Sequence, residues 1–328
     1  MPVVNDQDIA NAVAVLKAGG LVAFPTETVY GLGADASNPD AVARIYAAKG
    51  RPSDHPVIVH LADPVQMPLW ARDVPQAAHE LAKAFWPGPL TLILKRGAAV
   101  LDAVTGGQDT VALRVPSHPV ALALLRRFGG GVAAPSANRY GRVSATTAEH
   151  VRHEFGAAVE CVLDGGPCGV GIESTIIDLS RAAPALLRPG HVTAAQLEAV
   201  LRRPLAAPDA RAPRAPGTLA KHYAPQTPVM LMEPDLVIEL AASLTRQGRR
   251  IAVLARSALQ PVMMGITWIA APADPVAYGH DLYANLRTLD EAGCDALLVE
   301  EPPLEPAWIA VRDRLTRAAA GAEPPDEG

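Results

Sequence analysis

Residues 21–36, LVAFPTETVYGLGADA, decide how the fold is read. Leu21 to Phe24 is an apolar run of strand length, followed by a polar turn and then by Gly31-Leu32-Gly33-Ala34-Asp35-Ala36. On spacing, that last piece loosely fits the glycine-rich fingerprint of a dinucleotide fold. The fit demands an acidic residue about 20 positions later to bind a ribose hydroxyl. The chain instead offers AAKGRPSDHP, in which Lys49 and Arg51 are cations and Asp54 lies in a proline-flanked loop. A nicotinamide site is therefore disfavoured, and the plain alternative is that Gly31 and Gly33 permit a tight turn beside a strand. No G-x-x-x-x-G-K-[ST] and no G-x-S-x-G occurs, so phosphates would have to be held by side chains and scattered backbone amides.

A chain of 328 residues with 49% hydrophobic content has material for two cores. The net charge of −5 supplies no field that would draw nucleic acid unaided, so any basic surface must be local. Cys161, Cys168 and Cys294 form no close pair of the kind used by zinc sites or redox dithiols, and are expected to be reduced and mostly buried. The N-terminus has no basic start followed by a long apolar stretch, and no run of some 18 apolar residues is present. A soluble, cytoplasmic protein without a membrane partner is the expectation.

Apolar runs predict strands at Leu21 to Phe24, Pro56 to Leu61, Leu90 to Lys95, Val111 to Val115, Gly131 to Ala134, Glu160 to Leu163 and Ser174 to Leu179. Helical patterns fit from Asp6 or Asp8, as a cap, to Lys17, and at Pro39 to Ala48, Pro75 to Phe85, His118 to Phe128 and Thr147 to Phe155. The mixture is α/β. After residue 201 the proline-rich segment RRPLAAPDARAPRAPGTLAKHYAPQTP favours an extended connection and marks the domain boundary. Beyond it, PVMLM, RRIAVLA, TWIAA and DALLVEE read as buried strands of a small parallel sheet.

Chemistry-bearing residues cluster in a few places. In an extended KGRP, Lys49 and Arg51 would share a face and form a phosphate clamp, the alternative being a solvated loop pair. Ser136 and Asn138 follow a buried strand, where open α/β sheets bind ligands, and Ser144 falls in the N-cap region of the next helix. His60 and Arg114 interrupt apolar strands, and Ser174 and Thr175 sit between buried runs. A buried Arg114 needs an anion, either an internal Asp or Glu or a substrate carboxylate.

Eight motifs in order, FPTETVYGLGADA, KGRPSDHPVIVH, WPGPLTLIL, ALRVPSHP, APSAN, GIESTIID, LLRPG and HYAP, closely resemble those of the long-form threonylcarbamoyl-adenylate synthase family across residues 5–320. The resemblance implies a YrdC-like twisted open mixed sheet with helices and a concave cleft over residues 1–205. It further implies a proline-rich linker or lid over 206–228, a small Rossmann-like parallel α/β domain over 229–320 and a disordered tail over 321–328. The implied activity is nucleotidyltransfer: L-threonine, bicarbonate and ATP give threonylcarbamoyl-AMP and pyrophosphate, with Mg²⁺ on the phosphates. A downstream threonylcarbamoyl transferase would then modify position 37 of tRNA, which this chain would touch only indirectly or weakly, as a monomer or homodimer.

By the same resemblance Lys49, Arg51, Thr110, Ser136, Asn138, Ser144, Arg188 and Tyr223 belong to the ATP side, Lys49 and Arg51 being catalytic. Thr26, His60, Arg114 and Ser174 belong to threonine, with no metal ligand from a protein side chain. Two departures stand out: Tyr140 to Thr146 reads YGRVSAT where the family often has Ser-Gly-x-x-Ser-Pro-Thr, and Thr218 replaces a common methionine. The competing reading is an RNA-binding module of the same fold without synthase activity, which the acidic total and 4% aromatic content weaken. A carbamoyl-transfer protein of hydrogenase maturation, which contains a similar domain, would need cysteine-rich zinc modules that three scattered cysteines cannot build.

Overall fold

The computed structural model describes residues 4–260 and 265–320, so the tail expected over 321–328 lies outside the described residues. Contacts divide the chain into two units: residues up to 140 with 144–218, and residues 141–143 with those from 219 onward. The division falls inside the proline-rich segment.

The apolar runs of the first unit become strands β1 (Val22–Phe24), β2 (Gly31–Asp35), β3 (Ile58–His60), β4 (Leu90–Lys95), β5 (Thr110–Arg114), β6 (Val132–Ala133), β7 (Cys161–Val162), β8 (Thr175–Asp178) and β9 (Ala185–Arg188). They form one mixed sheet in the order β7-β1-β2-β6-β3-β5-β4-β8-β9. The glycine stretch read from sequence as a turn is in fact β2, paired antiparallel with β1 so that Gly31 faces Phe24 and Gly33 faces Val22. Here glycine supplies lateral room. A Cβ on Gly33 would lie 2.7 Å from Phe24 Cε1 and 2.8 Å from Val132 Cγ1.

Alternation along the strands assigns each side chain to one of two faces. Val59, Leu92, Leu94, Val111, Leu113 and Ile177 enter the main core, beneath helices that include Pro39–Lys49 and Gln76–Phe85. On the opposite face, the β7-β1-β2-β6 half is covered by helices Asp6–Lys17 and Pro119–Phe128, whose Leu16, Leu124 and Leu125 pack on Val22, Phe24 and Val132. The first helix is capped by Asn5, not by Asp6 or Asp8: its Oδ1 accepts from the Gln7 and Asp8 amides, while Asp8 returns a bond to the Asn5 amide. That reciprocal arrangement is a capping box.

On the β3-β5-β4-β8-β9 half, the same face carries an apolar floor of Ile58, Ala112, Ile93 and Ile176, joined by Ala215 of the proline-rich segment and half-buried Leu187. Ala215 belongs to the first unit, and its neighbour Arg214 exchanges hydrogen bonds with Gln108. The first half of the proline-rich segment is therefore packed onto the sheet, not extended away from it.

The second unit contains β10 (Val229–Met232), β11 (Ile251–Ala255), β12 (Ile266–Ala270) and β13 (Ala296–Glu300), all parallel, in the order β10-β13-β11-β12. Helix Pro234–Arg246 packs Val237, Ala241 and Leu244 on Ile251, Val253 and Leu298. At the carboxyl ends of these strands the amides of Arg256, Ser257 and Ala258 all donate to buried Glu300. A concavity of that kind accepts anions in many folds, and here an internal carboxylate fills it.

Candidate functional site

Period-two alternation and strand register place the expected residues. His60 lies opposite Arg114 and Ile58 opposite Ala112 across β3 and β5, so Thr110, Ala112 and Arg114 share a face with His60. Thr91 and Ile93 join that face from β4, Ile176 from β8 with Ser174 just before that strand, and Arg188 from β9, where it pairs with Ile176. Polar groups therefore stand at both ends of the apolar floor. Thr110 and Arg114 are four residues apart, roughly 13 Å at strand rise.

At the Thr110 end, helix Pro39–Lys49 stops at Gly50, whose φ of 63° is left-handed. This corrects the extended reading of KGRP: Lys49 is the last helical residue, and the turn at Gly50 brings Arg51 round beside it. The buried Lys49 Nζ donates to the carbonyl of Ser136, at 2.6 Å, and to that of Asn138. Asn138 is itself buried, and its Nδ2 donates to the Arg139 carbonyl. Arg51 donates to the Pro56 carbonyl and lies 5.7 Å from the Tyr140 ring centroid. Burial, then the charge of Arg51, pushes the Lys49 ammonium well below the ordinary lysine range. A neighbouring polyanion would reverse that shift.

Ser144 does not cap the next helix. Thr147 does, accepting from the His150 amide, while the buried Ser144 hydroxyl donates to Glu173 at 2.5 Å. Glu173, also buried, acts electrostatically on Lys49. Its neighbour Ser174 bonds Thr91 through the hydroxyl, and the Ser174 carbonyl receives Nε and Nη2 of Arg188. Arg188 Nη1 donates to Pro216, tying the proline-rich segment to the end of β9.

At the other end, Arg114 donates from Nε to Gly88, from Nη1 to Thr28 at 2.8 Å and from Nη2 to Glu27 at 2.6 Å. The anion that a buried arginine requires is therefore internal. Glu27 also accepts from the Ser117 amide. Burial alone would raise its pKa, but the Arg114 charge and these hydrogen bonds prevail and hold it below the ordinary carboxylate value. Thr26 joins the network through its hydroxyl contact with Thr28, 2.8 Å away.

His60 is buried edge-on to Phe24, with ring centroids 5.9 Å apart, and its Nδ1 has no hydrogen-bond partner among the described residues. Burial and then Arg114 lower its pKa to about 3. The unfolded chain, with an ordinary histidine pKa near 6.5, takes up the proton first. Stability is therefore complete above about pH 6.5 and declines as pH falls toward 3. Between pH 6.5 and 4 the parent is expected to lose roughly 3 kcal/mol more than a His60→Asn variant. Urea unfolding at the two pH values measures this, and equal losses would contradict a buried neutral His60.

The first unit thus gathers every expected residue except Tyr223. Tyr223 is buried in the second unit at φ 61°, stacked on Tyr283 at 5.7 Å with the Arg314 guanidinium 5.2 Å from its ring centroid. Sequence reasoning missed Glu27 and Glu173. Glu173 interrupts an apolar run, a signal that could have pointed to it, whereas Glu27 sits in a polar turn that gives none. Among the described residues no group of three His, Cys, Asp or Glu side chains could hold a metal, and no helix is long and apolar enough to cross a membrane. The three cysteines are free, and only Cys168 is fully buried.

Comparison with known proteins follows the same outline. A family model described as "Telomere recombination" matches residues 14–190, and one described as "Threonylcarbamoyl-AMP synthase, C-terminal domain" matches 192–320. A threonylcarbamoyl-AMP synthase of Bacillus subtilis is 43% identical, covering 97% of this chain and 94% of its own. One from Pyrococcus abyssi is 38% identical, covering 96% and 95%. The crystal structure of P. abyssi Sua5 complexed with L-threonine superposes with a TM-score of 0.89 at 37% identity, covering 96% of this chain and 95% of that one.

Proposed function

This chain belongs to the threonylcarbamoyl-AMP synthase family, and from that premise we propose that it is a nucleotidyltransferase joining L-threonine, bicarbonate and ATP into threonylcarbamoyl-AMP and pyrophosphate. Synthesis, and not RNA binding by a synthase-like fold, is its function. One observation carries the reading: the strands that form the apolar floor have buried cations at both ends, Arg114 and Arg188 on the floor's own face and Lys49 and Arg51 in the turn beside its Thr110 end.

ATP is assigned to the Thr110 end, with Lys49, Arg51, Ser136, Asn138 and Ser144 around it, and to Arg188, which stands level with Ile176 and Thr91 toward the Arg114 end. Tyr223 is assigned there on the HYAP motif alone. Threonine is assigned to Thr26, His60, Arg114 and Ser174, with two of the five Arg114 donors receiving its carboxylate. The carbamate formed on the threonine nitrogen attacks the α-phosphorus through oxygen as the α–β bridging oxygen departs with pyrophosphate. Charge converges on one region in that step, and Lys49, Arg51 and Arg188 offset it without reorganisation. Neutral His60 adds no competing cation beside Arg114. The proline-rich segment up to Pro216 covers the floor and keeps water from a carbamate that would otherwise hydrolyse.

Magnesium would be carried on triphosphate oxygens, the usual manner in nucleotide sites. Such an ion would supply further neutralisation of phosphate charge. The product would pass to a threonylcarbamoyl transferase for tRNA position 37 in the cytoplasm. To test the reading, purified protein is incubated with ATP, Mg²⁺ and bicarbonate. Pyrophosphate release is expected to depend on threonine and to exceed that with serine at least tenfold. Equal release with threonine, serine or no amino acid would refute the assignment.

A further inference from the structure

Arg114 is nearly fully buried, and its ion-pair partner Glu27 lies mostly out of solvent beside it, at 2.6 Å. Three of the five guanidinium donors are engaged, by Gly88, Thr28 and Glu27, which leaves two for a ligand. Glu27 in turn uses one oxygen for Arg114 and the other for the Ser117 amide, and each oxygen retains a lone pair. Glu27 thereby spans the loop after β1 and the segment after β5, and it fixes the direction in which the guanidinium points.

Charge adds a second consequence. An arginine alone in a poorly solvated recess attracts any carboxylate. With Glu27 against it the local sum is already zero, so a simple carboxylic acid would leave one uncompensated negative charge away from water, a costly state. An amino acid brings its own ammonium, and the sum returns to zero.

We propose that Glu27 is a positioning residue of the amino-acid subsite, aiming Arg114 and balancing its charge so that the subsite takes a zwitterion in preference to a carboxylic acid lacking the ammonium group. The proposal rests on the assignment of the threonine carboxylate to Arg114. The Glu27→Gln side chain keeps the size but loses the charge, and presents an NH₂ to a donor. Glu27→Asp keeps the charge but shortens the reach.

Calorimetric titration with L-threonine and with 3-hydroxybutanoate, its counterpart without the amino group, tests this. The parent is expected to prefer threonine. Glu27→Gln is expected to weaken threonine binding at least 30-fold and to narrow the preference at least tenfold, with ATP affinity within twofold of the parent. Glu27→Asp is expected to weaken binding yet keep the preference. A purely structural tether would not move the preference. An unchanged preference in Glu27→Gln, or a collapsed one in Glu27→Asp, would overturn the proposal. The second variant decides the matter if the first does not fold. A parent that binds neither compound would overturn both this proposal and the assignment of threonine to Arg114.

Discussion

Lys49→Ala is expected to lower threonine-dependent pyrophosphate release about a thousandfold, the loss typical of removing one preorganised charge-stabilising donor. Lys49 is buried, and its ammonium is held by the carbonyls of Ser136 and Asn138 and opposed by Arg51. The side chain is therefore fixed before substrate arrives, and its charge is poorly accommodated until an anion enters. Loss of that charge removes an interaction strongest when phosphate charge is greatest. The two carbonyls left behind cost some stability, about 1–3 kcal/mol each if no water reaches them. For that reason Lys49→Met, of similar shape, serves as a companion variant. Both should bind threonine within a few-fold of the parent, and full turnover by either would remove Lys49 from the phosphate clamp.

Arg114→Ala is expected to have the largest effect on stability and to abolish measurable threonine binding. The change leaves Glu27 with neither its cation nor a solvent-facing environment, a situation that costs about 3–5 kcal/mol. Removing both partners together, in Arg114→Ala/Glu27→Ala, should recover part of that stability because no orphaned charge remains, yet should recover no threonine binding. Urea unfolding and calorimetry read the two effects separately. A double variant no more stable than the single one would show that the cost is lost packing, not an uncompensated charge.

Much of the first sheet was legible in the sequence because its strands are continuous apolar runs with few alternatives. β4 and β5 lie within a residue of their expected limits, and helices Gln76–Phe85 and Pro119–Phe128 start one residue late. β2 was not legible. Two glycines in five residues weaken strand propensity, and only the crowding by Phe24 and Val132 across the sheet explains why nothing larger fits. β9 and helix Ala194–Leu201 also went unread. At Lys49 the local signal was present, a basic residue followed by glycine at a helix end, but the K-x-R spacing was read as extended. The site was legible in its cations and hydroxyls, since polar residues inside apolar runs stand out. Its carboxylates were not: Glu27 meets Arg114 across 87 positions of chain and Glu173 meets Ser144 across 29, separations that only the strand order closes. The burial of Tyr223 within the second unit was equally unreadable from HYAP.

The four strands β3, β5, β4 and β8 alternate between the helix-packed interior and the face proposed for ligands, as Leu113 and Arg114 do at adjacent positions. Gaining or losing one residue within such a strand would exchange the two roles along part of its length, sending an ion inward and a leucine outward. Length variation should therefore be confined to the connecting segments. Adaptation toward a different amino acid would have to proceed by replacement at every second position, with the residues between them held hydrophobic.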